Sequence, residues 1–587
     1  MDSPRDSSSC SAHRPAQLAP HLQQIQTLRV LADSLPYDDH ETIHALVAAL
    51  DELSVGFARD QRQRRYVGQE IDPPIWPTLR NLWATVADLS THATDEKDPQ
   101  ICMLSEKLAK FTRNLVAAVP LNQERAFENE PYIRSLIHRY TSFWATEDTK
   151  CIAATVMLVQ ALANIVTRND TLSRNLWSTY MGLPQEQAIL NRLLESPDPR
   201  IVSSTFVLLL NCIHGDEDRT RLLLTGSNGR RTCAALLDRM ENLSDAEESS
   251  LAESIFNIGY YEITVRLIQC GLIPKLYAML STGGEVVSPH QMSLLKALDA
   301  YLQSPAGSES MDETILGPNG ILVMLERTFA TLSGCAQRAV QQSIGNDGGA
   351  NSSQSFPHAS AGNAGQDSGE RDESTSSPAP QDVHMLLPKL CGALILVAQC
   401  LTSIALSAEA SRDSESGGPA ARSPNPAKQI MNAFVSSTGA GLVEDVVETL
   451  RLLDVFLSRI TFGKVAPRQA PSDLSTGRNT DDVGTPAEST RPNIPYIKRD
   501  LVRLLGVLCA DDKSAQDRVR ESGGIPVVMN LCVVDDQNPY LREHAIFALR
   551  NLLHENPENQ AVVEQFKPVR RWDAEHVLQD IRDEQFT

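Results

Sequence analysis

Apolar residues recur at i, i+3, i+4 and i+7 along most of this chain, interrupted by polar turns where glycine and proline collect. That spacing places a stripe on one face of an α-helix, so the chain is expected to be a succession of helices packed on one another. In HAIFALRNLLH (544–554), Ala545, Ala548, Leu549 and Leu552 form one stripe. Ile546, Phe547 and Leu553 widen it until little polar face remains, which predicts a helix covered on several sides. No heptad persists across the turns, and a coiled coil is disfavoured.

A shift of 44 residues lays DLVRLLGVLCADDKSAQDRVRE (500–521) over HAIFALRNLLHENPENQAVVEQ (544–565). Leu505 then falls on Leu549, Leu508 on Leu552, Gln516 on Gln560 and Val519 on Val563. Upstream, PRIVSSTFVLLLN (199–211) matches PYLREHAIFALRN (539–551), and RLIQCGLIPKLYAML (266–280) matches RVRESGGIPVVMNLC (518–532). Their offsets, 340 and 252, differ by 88, which is two periods of 44. A helix–turn–helix period of about 40–47 residues marks armadillo and HEAT arrays, whose units bury their apolar faces only against neighbours. The predicted fold is all-α: an armadillo/HEAT-like α-solenoid, a right-handed superhelix of helical repeats with disordered insertions. Gly271 and Gly523 can end one short helix in a left-handed turn, and Pro274 and Pro526 then fit the first turn of the next. Asp198-Pro199 and Asn538-Pro539 mark the following corner.

The turns and low-complexity runs divide the chain into a disordered tail (1–20), armadillo-like repeats (21–335) and a low-complexity insertion (336–382). Helical repeats (383–462) interrupted by a flexible stretch (407–428), a flexible linker (463–493) and a C-terminal domain (494–587) follow. Ser377, Ser423 and Thr485 each precede proline in these polar stretches and are candidate phosphorylation sites. LCGALILVAQCLTSIALSA (390–408) is uncharged and near the lower length for a membrane span. Gln399, Thr402 and Ser403 interrupt it, and a helix buried all round explains it without a bilayer, so no membrane span is expected.

Apolar residues make up 42% of the chain and aromatics only 5%, a balance that suits helix-on-helix packing better than a β-sandwich. The net charge of −21 repels phosphate backbones and anionic lipid, which argues against nucleic acid or an acidic membrane as principal partner. One basic cluster, RDQRQRRY (59–66), can dock an acidic peptide or serve as a solvated helix face. Eleven scattered cysteines without a CxxC read as small buried hydrophobes in a reducing compartment. The start, MDSPRDSSSCSAHRP, lacks the apolar core of a signal peptide.

HETIH (40–44) fits H-E-x-x-H, in which His40 and His44 share a helix face for zinc and Glu41 acts as base. Asp38 and Asp39 offer the plainer reading of a helix N-cap, and no third ligand stands out. Phosphate loops and GxSxG are absent, and no Met series or Cys–His cluster is spaced for copper, so no cofactor is expected. Asn164, Asn211 and Asn551 recur in the apolar helices. Each can bond the backbone of an extended partner peptide or a neighbouring turn. The positions one turn earlier are Gln160, Val207 and Phe547 rather than tryptophan.

KRDLVRLLGVLC, QDxVRExGGIPxVxxxC and DDQNPYLREHAIFALRNLL, within about residues 494–568, resemble the C-terminal domain of the ataxin-10 family. Upstream of 490 the resemblance fades to repeat character, and the low-complexity insertions depart from the compact animal members. The resemblance implies a cytoplasmic, non-enzymatic armadillo-type protein that acts through protein partners, in a family linked to cytokinesis, with no catalytic residues to carry over. Arg542, Glu543 and His544, a charged triplet before an apolar helix, are candidates to read a partner; a solvated helix start is the alternative.

Overall fold

The computed structural model describes residues 19–35, 40–92, 98–143, 145–244, 250–309, 311–349, 380–415, 424–437, 439–457, 459–461, 464–465, 494, 496–536, 538–566, 570–572 and 578–580. The chain divides into two compact units, Met1–Leu280 and Ser281–Thr587.

The first unit holds α1 (Ala19–Ser34), α2 (His40–Arg59), α3 (Gln61–Arg65), α4 (Trp76–His92), α5 (Asp98–Val116), α6 (Pro120–Phe127), α7 (Glu130–Tyr140) and α8 (Thr149–Val166). It continues with α9 (Asp170–Gly182), α10 (Ile189–Leu194), α11 (Pro199–Ile213), α12 (Glu217–Thr225), α13 (Gly229–Ser244), α14 (Ser250–Asn257), α15 (Thr264–Gln269) and α16 (Ile273–Met279). Long helices α2, α5, α8 and α11 pack in succession, and the shorter helices between them cover their other side. Leu158, Leu162 and Ile165 of α8 are fully buried by this stacking, each side chain contributing about 1.5–3 kcal/mol.

The second unit holds α17 (Pro289–Leu302), α18 (Pro305–Glu309), α19 (Glu313–Leu316), α20 (Ile321–Gly349), α21 (Pro380–Glu415), α22 (Pro426–Ala433) and α23 (Leu442–Phe456). Helices α24 (Ile497–Cys509), α25 (Lys513–Glu521), α26 (Gly524–Leu531), α27 (Leu541–Leu553) and α28 (Pro557–Glu564) complete it. Its successive long helices are α17, α21, α24 and α27. Two short antiparallel pairs, Ile460–Thr461 with Lys464–Val465 and Arg570–Trp572 with Leu578–Asp580, are its only described strands.

The 44-residue shift maps element onto element: α24 onto α27 and α25 onto α28, start for start. Tyr496 and Tyr540 both precede the long helix with left-handed φ of 71° and 64°. Asp511 and Glu555 are left-handed at the next corner, with φ of 54° and 51°. Asp512 and Asn556 then cap the short helix through a side-chain oxygen. Gly271 and Gly523, φ 64° and 69°, turn the chain into α16 and α26 as their matching sequence requires.

Three expectations change. The expected start of the low-complexity insertion at position 336 falls inside α20, which runs to Gly349 and whose buried stripe continues through Ala336, Ala339 and Val340. The stretch 407–428 is helical at both ends, through Glu415 in α21 and from Pro426 in α22, where Ala408, Ala427 and Lys428 are buried. Ile546 and Phe547, expected to be covered, are 49% and 43% exposed, because α27 belongs to the last described repeat, with α24 and α26 packed on it and no later long helix beside it among the described residues.

The apolar run at 390–408 lies within α21, and Leu390, Cys391, Leu394, Val397, Ala398, Leu401, Ile404 and Ala405 are all fully buried against neighbouring helices. Helix α8 is likewise long and apolar enough to cross a membrane and is mostly buried.

Candidate binding faces

Arg542, Glu543 and His544 form the first turn of α27, and successive positions on a helix point about 100° apart. Arg542 and Glu543 are exposed, with Arg542 lying near the thiol of Cys532, just past the end of α26. His544 is half-buried and turns toward α24, so the triplet does not act as one group. Burial, followed by Arg503 and Arg499, pushes the His544 imidazole below its ordinary value, against the pull of Asp500 and Glu543. The ring is therefore neutral near pH 7.

Around His544 the long helices of the second unit gather a set of polar side chains that the sequence did not single out. Asp500, almost wholly buried, accepts from Gln399 Nε2 at 3.1 Å and from Arg499 Nε and Nη2 at 3.0 and 2.9 Å. The Arg499 guanidinium also lies 4.5 Å from the centre of the Tyr496 ring. On α17, burial raises the Asp299 carboxyl above its ordinary value, Gln303 opposes this, and Asp500 adds to it. Single polar residues within apolar stripes, Asp299 on α17, Gln399 on α21 and Asp500 on α24, are the sequence signal for this set. In the same stretch Tyr540 is 70% exposed, Ile546 49% and Val533 46%, while Phe547, 43% exposed, lies along Gly506 of α24.

The three asparagines share one geometry. Asn164 Nδ2 donates to Arg113 O at 3.0 Å, Asn211 Nδ2 to Ala163 O at 3.2 Å and Asn551 Nδ2 to Gly506 O at 2.8 Å. Each acceptor lies in the last turn of the preceding long helix, among the carbonyls that lack an intrahelical partner. Asn211 Nδ2 also donates to Thr167 Oγ1 at 2.9 Å. Half of each amide is thus committed to the neighbouring repeat. Asn114 of α5 extends the series, donating to Ser54 O at 3.0 Å.

His40, Glu41 and His44 open α2, with both histidines exposed; Asp38 and Asp39 lie outside the described residues. Among the described residues no group of three or more His, Cys, Asp or Glu is placed to hold a metal ion. Among the described residues the ten cysteines form no disulfide. Burial pushes the Cys212, Cys233 and Cys391 thiols up to about 12, so they remain protonated and un-nucleophilic. Ser377, Ser423 and Thr485 lie outside the described residues.

Residues 497–584, which contain α24 to α28, match the family described as the spinocerebellar ataxia type 10 protein domain. Ataxin-10 of Bos taurus is 35% identical over 125 residues, 21% of this chain and 23% of that protein. The Ataxin-10 homolog of Dictyostelium discoideum is 44% identical over 70 residues, 12% of each chain. That of Kluyveromyces lactis is 39% identical over 83 residues, 14% of this chain and 16% of its own. The chain therefore matches less than a quarter of the length of these relatives. The crystal structure of SYS-1 aligns over 92% of this chain and 79% of its own at 9% identity, with a TM-score of 0.31, too low to say anything of function.

Proposed function

We propose that this chain, a member of the ataxin-10 family through its C-terminal domain, is a non-enzymatic scaffold that binds other proteins through its helical repeats. It works in the cytoplasm and takes part in regulating cytokinesis. The exposed apolar side chains at α27 carry the reading: Tyr540, just before the helix, is 70% exposed and Ile546 49%, on the stretch that matches the family. Aromatic anchors of this kind dominate binding energy at interfaces.

The test is capture of partners by the tagged full-length chain, compared with Ile546→Glu and Tyr540→Ser. Ile546 is half exposed, so its substitution should leave the melting temperature within about 2 °C while removing partners. Undiminished partner capture by both variants would refute the role of this face. Depletion in cells should give multinucleate cells; normal division would remove cytokinesis from the proposal.

A further inference from the structure

The basic cluster at 59–66 has a structural sequel in the first unit. A pocket of about 510 Å³ is lined by Arg64 of α3, Arg113 of α5, Gln160 and Asn164 of α8, and Ser204 and Val207 of α11. That volume is within the range of small-ligand sites, roughly 300–1,000 Å³. Arg113 is half-buried and donates to Asn114 Oδ1 at 3.1 Å and to Gln160 Oε1 at 2.5 Å. No described carboxylate pairs with it, and burial pulls its pKa below the ordinary arginine value. Arg64 donates from Nη1 to Phe57 O at 2.6 Å, and its Nε is buried without a partner. The acids of α2 are already engaged: Asp51 with Lys110 at 2.8 Å and Lys107 at 3.8 Å, and Glu52 with Gln24 Nε2 at 2.5 Å.

Two half-desolvated cations without counter-charge are costly unless something anionic joins them. Their placement is also held rather than floppy. Asp60 Oδ1 accepts from the backbone N–H of Arg62 at 2.8 Å, capping α3. Asn122 Nδ2 donates to Arg64 O and Gln61 Nε2 to Ala118 O, both at 2.8 Å, which pins α3 over the end of α5. A solvated cluster of arginines would need none of these ties. Beside the cations, Asn164 Oδ1 is the half of its amide not used on Arg113 O, and it can accept a main-chain N–H.

We propose that this pocket binds an extended peptide segment through an Asp or Glu side chain, whose carboxylate pairs with Arg113 and Arg64 while Asn164 takes a main-chain N–H. The inference rests on the protein-binding reading above and gives it a second face with a stated partner chemistry. An extended chain advances about 3.3 Å per residue with alternate side chains on one side, so acidic residues at every second position suit it best.

The full-length chain is titrated into a fluorescein-labelled, acetylated and amidated octapeptide alternating Glu with Ser, and into its Gln/Ser counterpart, with polarisation as readout. Saturable binding of the Glu peptide alone is expected, weakened about tenfold by Arg113→Gln and by Arg64→Gln. Lys513→Gln, whose charge sits on the other unit opposite Glu558, should bind as the wild type does. If Arg113→Gln fails to fold, Arg64→Gln decides, because the Arg64 side chain has one internal bond to lose, Nη1 to Phe57 O, against the two of Arg113 to Asn114 and Gln160. Equal binding of the two peptides, no binding of either, or full affinity in the Arg64→Gln variant overturns the proposal. So does inorganic phosphate that binds more tightly than the Glu peptide. Loss of partner capture in Ile546→Glu together with no Glu-peptide binding removes this pocket and leaves the scaffold reading standing.

Discussion

Replacing Gln516 with alanine should destabilise the second unit by about 4 kcal/mol, while the same change at its repeat partner Gln560 should cost under about 1 kcal/mol. Gln516 is 3% exposed. Its Nε2 donates to Cys509 O at 3.1 Å and to Asn551 O at 2.9 Å, and its Oε1 accepts from Asn556 Nδ2 at 3.0 Å. Cys509 O and Asn551 O belong to the last turns of α24 and α27, so neither has an intrahelical partner to fall back on. Cys509 O keeps only a 3.5 Å contact from the Asp512 N–H. Asn556 Nδ2 retains Asp517 Oδ1 at 3.1 Å and is not orphaned. The buried Cys509 O and the part-buried Asn551 O, losing their donor, cost about 1–3 kcal/mol each, which centres the estimate near 4. Gln560 is exposed and donates only to Leu553 O at 2.8 Å, where water can replace it. Urea unfolding of the full chain, with amide exchange read across α24 to α28, measures both variants. Costs that agree within about 0.5 kcal/mol would show that the bolt between repeats contributes nothing.

Two further outcomes follow from single positions. Burial raises the Glu326 carboxyl from 4.5 to about 7; the folded chain therefore holds a proton that the unfolded chain releases, and stability falls as pH rises from about 4.5 through 7. At about 1.4 kcal/mol per pH unit the loss reaches about 3 kcal/mol, and urea midpoints of Glu326→Gln should lose this pH dependence; an unchanged slope refutes the buried, protonated carboxyl. Gly523→Ala should destabilise by about 1 kcal/mol through its φ of 69° alone, since a Cβ there meets nothing within 4 Å; a stabilised variant in a thermal melt would refute it.

The repeat was legible because it rests on two strong local signals, apolar period and turn chemistry. Leu508 and Leu552, matched by the 44-residue shift, are both fully buried, and Gly271 and Gly523 are both left-handed. Tyr496 and Tyr540 are not legible as corners, because nothing about tyrosine announces a positive φ; the packed repeat imposes it. The helical extension to Gly349 was hidden by composition: glycine and asparagine late in the segment outweighed Ala336, Ala339 and Val340 early in it. Exposure of Ile546 and Phe547 could not be read from period at all. A helix pattern says which residues are apolar, not whether a further repeat stands beside them. The asparagines were legible as a series, but only the geometry shows that each spends Nδ2 on the preceding helix.

That commitment bears on selectivity. If one half of each asparagine amide braces the stack, the remaining half can accept a peptide N–H of any sequence and discriminates little. Choice among partners then falls to charge, and the charge at the two faces differs. In the second unit Asp500 and Asp299 offset Arg499 and Arg503 around a neutral His544. In the first, Arg64 and Arg113 stand without described carboxylates. A net charge of −21 would seem to forbid an acidic ligand, yet at physiological salt charges are screened beyond about 8 Å. Inside the pocket the nearby balance decides, and Asp51, which could have spoiled it, is neutralised by Lys107 and Lys110. An acidic segment thus meets repulsion at a distance and attraction only on arrival, an arrangement that rejects partners unable to place a carboxylate between the two arginines.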